Sequence, residues 1–308
     1  MTANRRVKFL LSMVLVFSTA CGSKSETADT ETPASAPAAA SEPAAAPTTE
    51  AEPEKEFYGE DFLKDFAASI QGRWEAEDAR MAAGEVGEES ADPNQEVSEA
   101  EVEQADKEYV SFNKDVIKAE TDLLSVYRDR KFKDSKLAEY ANAYLDLLNT
   151  QNEALDIYFE NTDEFITRFF AADTARGEVI AYLSENYGLA IDEKHMPKLN
   201  KIMNSRYTAQ YGESDFYDML ADWEYLTKDN GEEVLIVTNM TPYTFKDIDL
   251  YPAFVIEKDG MSQVTELGDE THFEEWKPEE KAEVKLNKEQ VSKLIEEYGD
   301  FWVDIYYY

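Results

Sequence analysis

The chain has 308 residues with 66 acidic against 30 basic side chains, a formal net charge of −36. That balance excludes a nucleic-acid binder, which must neutralise phosphates with Lys and Arg, and it excludes adsorption to anionic lipid headgroups. The single cysteine allows no disulfide within the chain, so the fold must rest on its core, which this length and the many Phe, Tyr and Leu residues make feasible.

In chain order, Arg5, Arg6 and Lys8 precede an apolar run from Phe9 to Phe17, and Ser18, Thr19 and Ala20 lead into Cys21. A basic start, a short apolar core and small residues describe a secretory leader. The core is too short to cross about 30 Å of hydrocarbon, which needs roughly 20 apolar residues. Residues 1–20 resemble a bacterial lipoprotein signal, although Ser18 stands where an aliphatic residue is usual. The resemblance implies that Cys21 is the lipidation site and the mature N-terminus, bearing a diacylglyceryl group with palmitate-type chains. Two acyl chains give stable anchoring where one does not. The expected location is therefore the outer, extracytoplasmic face of the cell membrane.

From Lys24 to Lys55 the chain is almost wholly Ala, Pro, Glu, Ser and Thr. Such a stretch buries too little apolar surface to offset the entropy of ordering, so residues 21–55 are expected to be a disordered stalk. Its ends would lie roughly 30 Å apart as a coil, and its reach approaches about 100 Å in polyproline form.

Residues 56–228 carry helical spacing and predict an all-α bundle. Leu63, Phe66, Ala67, Ile70, Trp74 and Met81 form one stripe. An acidic, low-complexity and aromatic-free insert, expected to be disordered, follows near 84–106. Tyr109, Phe112, Val116, Ala119, Leu123 and Tyr127 form a second stripe, and Leu137, Tyr140, Tyr144, Leu148, Gln151, Leu155 and Tyr158 a third. Phe165, Ile166, Phe169 and Phe170 read as the end of that helix after a kink near Asn161. Val179, Ile180, Leu183 and Tyr187 stop at Gly188, a C-terminal cap. Leu199, Ile202, Met203 and Tyr207 predict one more helix, and Phe216, Met219, Leu220 and Trp223 another.

At Asn230-Gly231 the period changes to two, and residues 232–308 predict a small antiparallel β-sandwich carrying one helix. Val234 to Thr238, Phe245 to Ile256, Val264 to Leu267 and Ala282 to Leu286 read as strands. Asn239 to Pro242 forms a turn, and Lys258-Asp259-Gly260 is a hairpin signal. Asn287 with Gln290 resembles a capping box. Phe301, Val303, Ile305 and Tyr307 alternate after Gly299.

Val237-Thr238-Asn239, Tyr243 to Ile248 and Phe254 to Gly260 together resemble the FxLYD-type immunoglobulin-like domain of bacterial surface lipoproteins. Ile256 and Glu257 depart from it, standing where Tyr and Asp are expected, and Lys277-Pro278-Glu279 stands where that family often has Pro-Gly-Glu. The whole layout is similar to uncharacterised lipoproteins of Gram-positive gut bacteria. The resemblance implies a surface location and no particular activity.

Chemistry-bearing motifs are sparse. His195 and His272 have an aspartate three residues ahead, Asp192 and Asp269, but no second histidine at helical spacing, and they read as solvated or capping groups. The runs Asp229 to Glu233 and Asp269-Glu270 offer oxygen ligands without the spacing of a calcium loop. Nucleophile elbow, Walker loop and dinucleotide fingerprint are missing. No catalytic residue, metal ligand or cofactor is assigned. Glu120, Arg73, Arg168 and Arg176 lie beside apolar stripes, which favours Arg–carboxylate pairs that fix helix register over a ligand site. Trp302 and Tyr306 to Tyr308 are either core rings or a platform for sugars or a protein partner. The expectation is a non-enzymatic, lipid-anchored binding or envelope-interaction protein. Its partners would be the membrane through the anchor and an envelope protein or glycan. The alternatives are a carboxylate-based envelope hydrolase acting on glycosides or peptidoglycan, and an inhibitory or immunity-type lipoprotein. The oligomeric state is not legible.

Overall fold

A computed structural model describes residues 59–88, 98–258, 261–298 and 303–307. The leader, Cys21 and the stalk lie outside the described residues, as do Asp259, Gly260, Gly299, Phe301, Trp302 and Tyr308. Helices come first, then antiparallel strands with one helix among them.

The first core is built by α1 (Glu60–Glu88), α2 (Glu99–Leu124), α3 (Ser135–Asp156), α4 (Thr162–Tyr187) and the start of α5 (Met196–Tyr211). In α1, Phe62, Phe66, Ala67, Ile70 and Trp74 are buried at spacings of three and four, while Met81 faces solvent. The buried face of α2 is Val110, Asn113, Val116, Ile117, Glu120 and Leu124. Ala119 and Leu123 of the expected stripe are exposed instead. The face is turned because Glu120 lies inside it, whereas an apolar count leaves that residue out.

Caps set the helix ends. In α2 the Glu101 N–H donates to Ser98 Oγ (3.3 Å) and the Ser98 N–H to Glu101 Oε2 (2.8 Å), a reciprocal box that satisfies two otherwise unpaired donors. Gly84–Glu88 thus belong to α1 and Glu99–Asp106 to α2, so both ends of the expected insert are helical; residues 89–97 lie outside the described residues. Asn161 Oδ1 accepts from the Glu164 N–H (3.3 Å) and opens α4. The aromatic knot of Phe165 to Phe170 therefore begins a helix that runs on to Tyr187, rather than ending the previous one after a kink. Gly188 closes α4 in the left-handed region at φ +65°.

The second core includes α6 (Glu213–Ala221), whose Phe216, Met219 and Leu220 pack with the strands and not with the bundle. Trp223–Thr227 is strand β1, so the helical region ends before the expected Lys228. The strands that follow are β2 (Glu233–Thr238), β3 (Phe245–Lys258), β4 (Met261–Glu266), β5 (Thr271–Trp276), β6 (Lys281–Lys285) and, after helix α7 (Lys288–Tyr298), β7 (Asp304–Tyr307). One sheet has the order β1–β2–β6. The other is arranged around β3. Leu250 pairs with both Thr271 and Tyr307, and Ala253 with both Glu266 and Asp304. Strand β7 therefore lies on one edge of β3, while β5 and β4 follow each other along the opposite edge.

Two irregularities shape this second sheet. Between β4 and β5, Leu267 to Glu270 form a bulge, with the Leu267 N–H donating to Pro252 O (2.9 Å). Gly268 there lies so close to β6 that a Cβ would sit 2.1 Å from the Lys285 carbonyl oxygen. Further along, Phe245 pairs with Trp276 and Ile248 with Phe273, and all four join the same core. Two residues separate the inward positions in each strand, so alternation breaks in both at once and the register survives. Asp247, inside the break, takes φ +47°. The expected strict alternation from Phe245 onward misses this, and β5 itself is hidden by Glu274 and Glu275.

Buried Asn239 holds the turn between β2 and β3: its amide donates to Tyr243 O (2.9 Å) and Trp276 O (3.0 Å) and accepts from the Thr241 N–H (3.0 Å). Helix α5 joins the two cores. Leu199 packs in the first and Tyr207 and Tyr211 against the second. Its Asn204 amide donates to Lys246 O (2.8 Å) and accepts from the Lys246 N–H (3.2 Å), reproducing the pair of bonds that a neighbouring strand would make. Tyr207 stacks on Tyr243 at 4.8 Å.

Gly268→Ala is expected to destabilise the fold by about 1–3 kcal/mol, because backbone must yield. Gly72→Ala, at an exposed position of α1 with nothing within 4 Å of the new Cβ, is expected to stabilise by about 0.5–1 kcal/mol. Urea unfolding of the two variants checks both signs.

Candidate functional site

The densest group of ionisable side chains inside the protein lies across the middle of the bundle. Arg73 comes from α1, Glu120 from α2, Tyr144 from α3 and Arg176 from α4, and each is less than a tenth exposed. Each follows the buried face of its helix: Arg73 comes three residues after Ile70, and Glu120 three after Ile117. Arg73 Nη1 donates to Glu120 Oε1 (2.8 Å), Arg176 Nη2 to Glu120 Oε2 (3.2 Å), and the Tyr144 hydroxyl to Glu120 Oε2 (2.6 Å). Arg176 Nη2 also donates to the Tyr144 oxygen (2.8 Å). The outer shell consists of Glu77, which accepts from Arg73 Nε, and Asp173, which accepts from Arg176 Nη1 and from the Gln151 amide, each at 3.0 Å.

Electrostatics keep the two arginines of this group charged. Burial works against the charge on Arg176, but Glu120, then Tyr144 and Asp173, more than offset it and raise its affinity for the proton. Burial and Arg176 likewise oppose the charge on Arg73, and Glu120, Asp173 and Glu77 outweigh them. The Tyr144 phenol is raised well above its ordinary value by burial, so it is a donor and not a base. Glu120, the acceptor, has both oxygens engaged by cationic or hydroxyl donors. Such a group can fix the relative placement of four helices; it leaves no free carboxylate for proton transfer. Among the atoms of this layer, Gln151 Oε1 and Arg176 Nε are buried without a protein partner.

Of the residues singled out from the sequence, the structure brings Arg73, Glu120 and Arg176 together. It places Arg168 elsewhere, on the surface, paired with Glu153 (3.2 Å) and Glu164 (3.8 Å). Tyr144 and Gln151 are the members that periodicity missed, since it counts them only as stripe positions. Four stripes each carrying a polar residue at mid-length were the available signal.

His195 is buried, against the expectation of a solvated or capping group. It makes no cap bond to α5; its ring lies 5.7 Å from that of Trp74, with Nδ1 3.2 Å from Gln71 Oε1. His272 is exposed, with Nδ1 2.7 Å from Asp249 Oδ1 and Nε2 4.0 Å from Asp247 Oδ1. The acidic run after Asp229 is the β1–β2 turn, where Glu232 pairs with Lys228 (3.4 Å) and Lys285 (3.7 Å). Among the described residues, no group of three or more His, Cys, Asp or Glu side chains is set to hold a metal ion, and no helix is long and apolar enough to cross a membrane. Tyr307 is buried in the second core, and Tyr306 is half-buried, stacked on Tyr251 at 5.2 Å. A surface groove of about 470 Å³ is lined by Glu60, Leu63, Lys133, Asp134, Ser135, Leu137 and Tyr187. It shares no residue with the buried layer or with the His272 group.

Glu120→Gln should cost about 3–5 kcal/mol in urea unfolding, because two buried guanidinium groups lose their counter-charge. Arg168→Ala should cost less than about 1 kcal/mol, since its partners are exposed. A second expectation concerns alkaline pH. Burial pushes the phenols of Tyr109 and Tyr307 up to about 12. A phenol that binds its proton more tightly in the folded state withdraws stability as pH rises from its ordinary value of about 10 towards 12. Phenolate absorbance from these rings should therefore appear together with loss of the helical circular-dichroism signal, not before it.

No protein-family model matches the chain, and neither a curated protein nor a solved structure matches it significantly.

Proposed function

We propose that the protein is a lipid-anchored, extracytoplasmic lipoprotein that acts by binding, with its helical and β domains held off the membrane by the stalk. The observation that carries this is the order of the sequence: a basic and apolar leader, the sole cysteine after small residues, and an aromatic-free linker that ends shortly before helix α1 at Glu60. Thioether attachment of a diacylglyceryl group to Cys21 would supply two acyl chains, enough for a stable anchor. The C-terminal domain is proposed to be related to the FxLYD-type surface modules, a kinship supported by the Asn239 turn between two strands. Partners are expected among envelope proteins or glycans.

A binding role is favoured over hydrolysis by the state of the carboxylates. Glu120 is saturated by arginines and a tyrosine, whereas glycoside hydrolysis needs two carboxyl groups facing a bound substrate. Asp249 and Glu270 are close enough to share a hydrogen bond, but they lie on an exposed part of the sheet and not in the groove beside Glu60 and Tyr187.

Cys21→Ser separates the anchor from everything else. Wild-type protein is expected in the membrane fraction, and the variant either released or retained with its leader uncut. Unchanged membrane attachment and processing in the variant would defeat the proposal. Capture with the mature protein on envelope extract should enrich an intact protein or glycan; enrichment of degraded polysaccharide alone would favour the hydrolase.

A further inference from the structure

Where α5 docks on the second sheet, the contact runs through one strained strand residue. Asp247 holds φ +47° within β3, and its carboxylate accepts a hydrogen bond from Asn200 of α5. The next turn of α5 adds the Asn204 pair with the Lys246 backbone. From the other side, His272 of β5 places Nδ1 2.7 Å from Asp249 and Nε2 4.0 Å from Asp247. A neutral imidazole carries one N–H and can donate to only one of these aspartates. An imidazolium carries two and can donate to both. Histidine is the side chain whose charge ordinarily changes between about pH 5 and 8.

We propose that His272 is a proton-operated clamp on the joint between the helical and β domains: when protonated, it bridges Asp249 and Asp247 and so secures the residue to which α5 is tied. The groups that face it are Asp247 and Asp249 on β3 and Glu270 ahead of β5, with Lys201 on α5 acting on Glu270. Partial loss of water contact and the neighbouring Asp249 hold the Glu270 carboxyl above the ordinary glutamate value, while a charged His272 and Lys201 work against that shift. Only the doubly protonated ring can donate to both aspartates, so docking is firmest in acid and weakens as pH rises.

The test is amide exchange at Lys246 in the full chain, corrected for the intrinsic pH dependence of exchange. Protection is expected to be about fivefold greater near about pH 5.5 than near about pH 7.5, within the tenfold per pH unit that one linked proton allows. In His272→Gln the ratio should fall to about one. Equal ratios in wild type and variant, or protection that increases with pH, would overturn the clamp. A measurement on the wild type alone guards against a variant that fails to fold. The His272 ring resonances and the Lys246 amide shift should titrate with one midpoint, and two separate midpoints would also overturn it.

Discussion

Glu120 reaches the middle of the bundle from α2 and there meets a guanidinium group from α1, another from α4 and a hydroxyl from α3. In an interior of low dielectric, two arginines that close to each other are tolerable only with a carboxylate between them. The geometry of that one carboxylate consequently constrains four helices. Its two oxygens lie in a plane, each takes donors from particular directions, and a slide of one helix by a single turn would strand at least one charge. Apolar contacts such as Phe66 on Tyr144 supply the bulk of the burial, but they are forgiving of register in a way that the charged layer is not. The outer carboxylates, Glu77 and Asp173, then connect the layer to solvent and offset its remaining positive charge.

Much of this arrangement is legible in the residue pattern, and the failures have physical causes. Periodicity identifies the helices because each buries one face, and it marks Arg73, Arg176 and Glu120 as polar residues beside those faces. It misjudges α2 by one position because a buried acid does not count as apolar. It overlooks Tyr144 as a partner because a tyrosine satisfies an apolar stripe whether or not its hydroxyl is engaged. Arg168 looks the same as Arg176 in the sequence, and only the packing of α3 against α4 separates an exposed pair from a buried one. The acidic run after Gly84 reads as disorder on composition, yet Glu and Ala are good helix formers and the Ser98–Glu101 box starts a helix well inside the expected insert. Among the strands, β5 escapes because a period of two is the search pattern, and the paired break at Asp247 and Glu274 removes that period from both strands together.

The joint between the two domains depends on side chains that imitate backbone. Lys246 has its N–H and carbonyl satisfied by one asparagine side chain of α5, so the helix completes an edge of the sheet that no strand among the described residues covers there. Because α5 contributes to both cores without a break, no slack linker separates them, and any change in their relation has to act on α5 itself or on its contacts with β3. That gives the aspartates around His272 their leverage: they are few and partly exposed, but they lie where the second core receives the helix.

The position of Gly59 adds a mechanical consequence. Gly59 leads directly into α1 at Glu60, and a pull applied along the axis of this helix would be carried by its lateral contacts. Helix α1 is held laterally over its middle turns by Arg73 to Glu120 of α2, by Glu75 to Lys194 in the short turn before α5, and by Asp78 to Lys198 of α5. Drawing the helix out lengthwise would load these bonds in shear and in parallel, whereas prying it off sideways would break them one after another. A pull along α1 would thus meet the stronger of the two geometries.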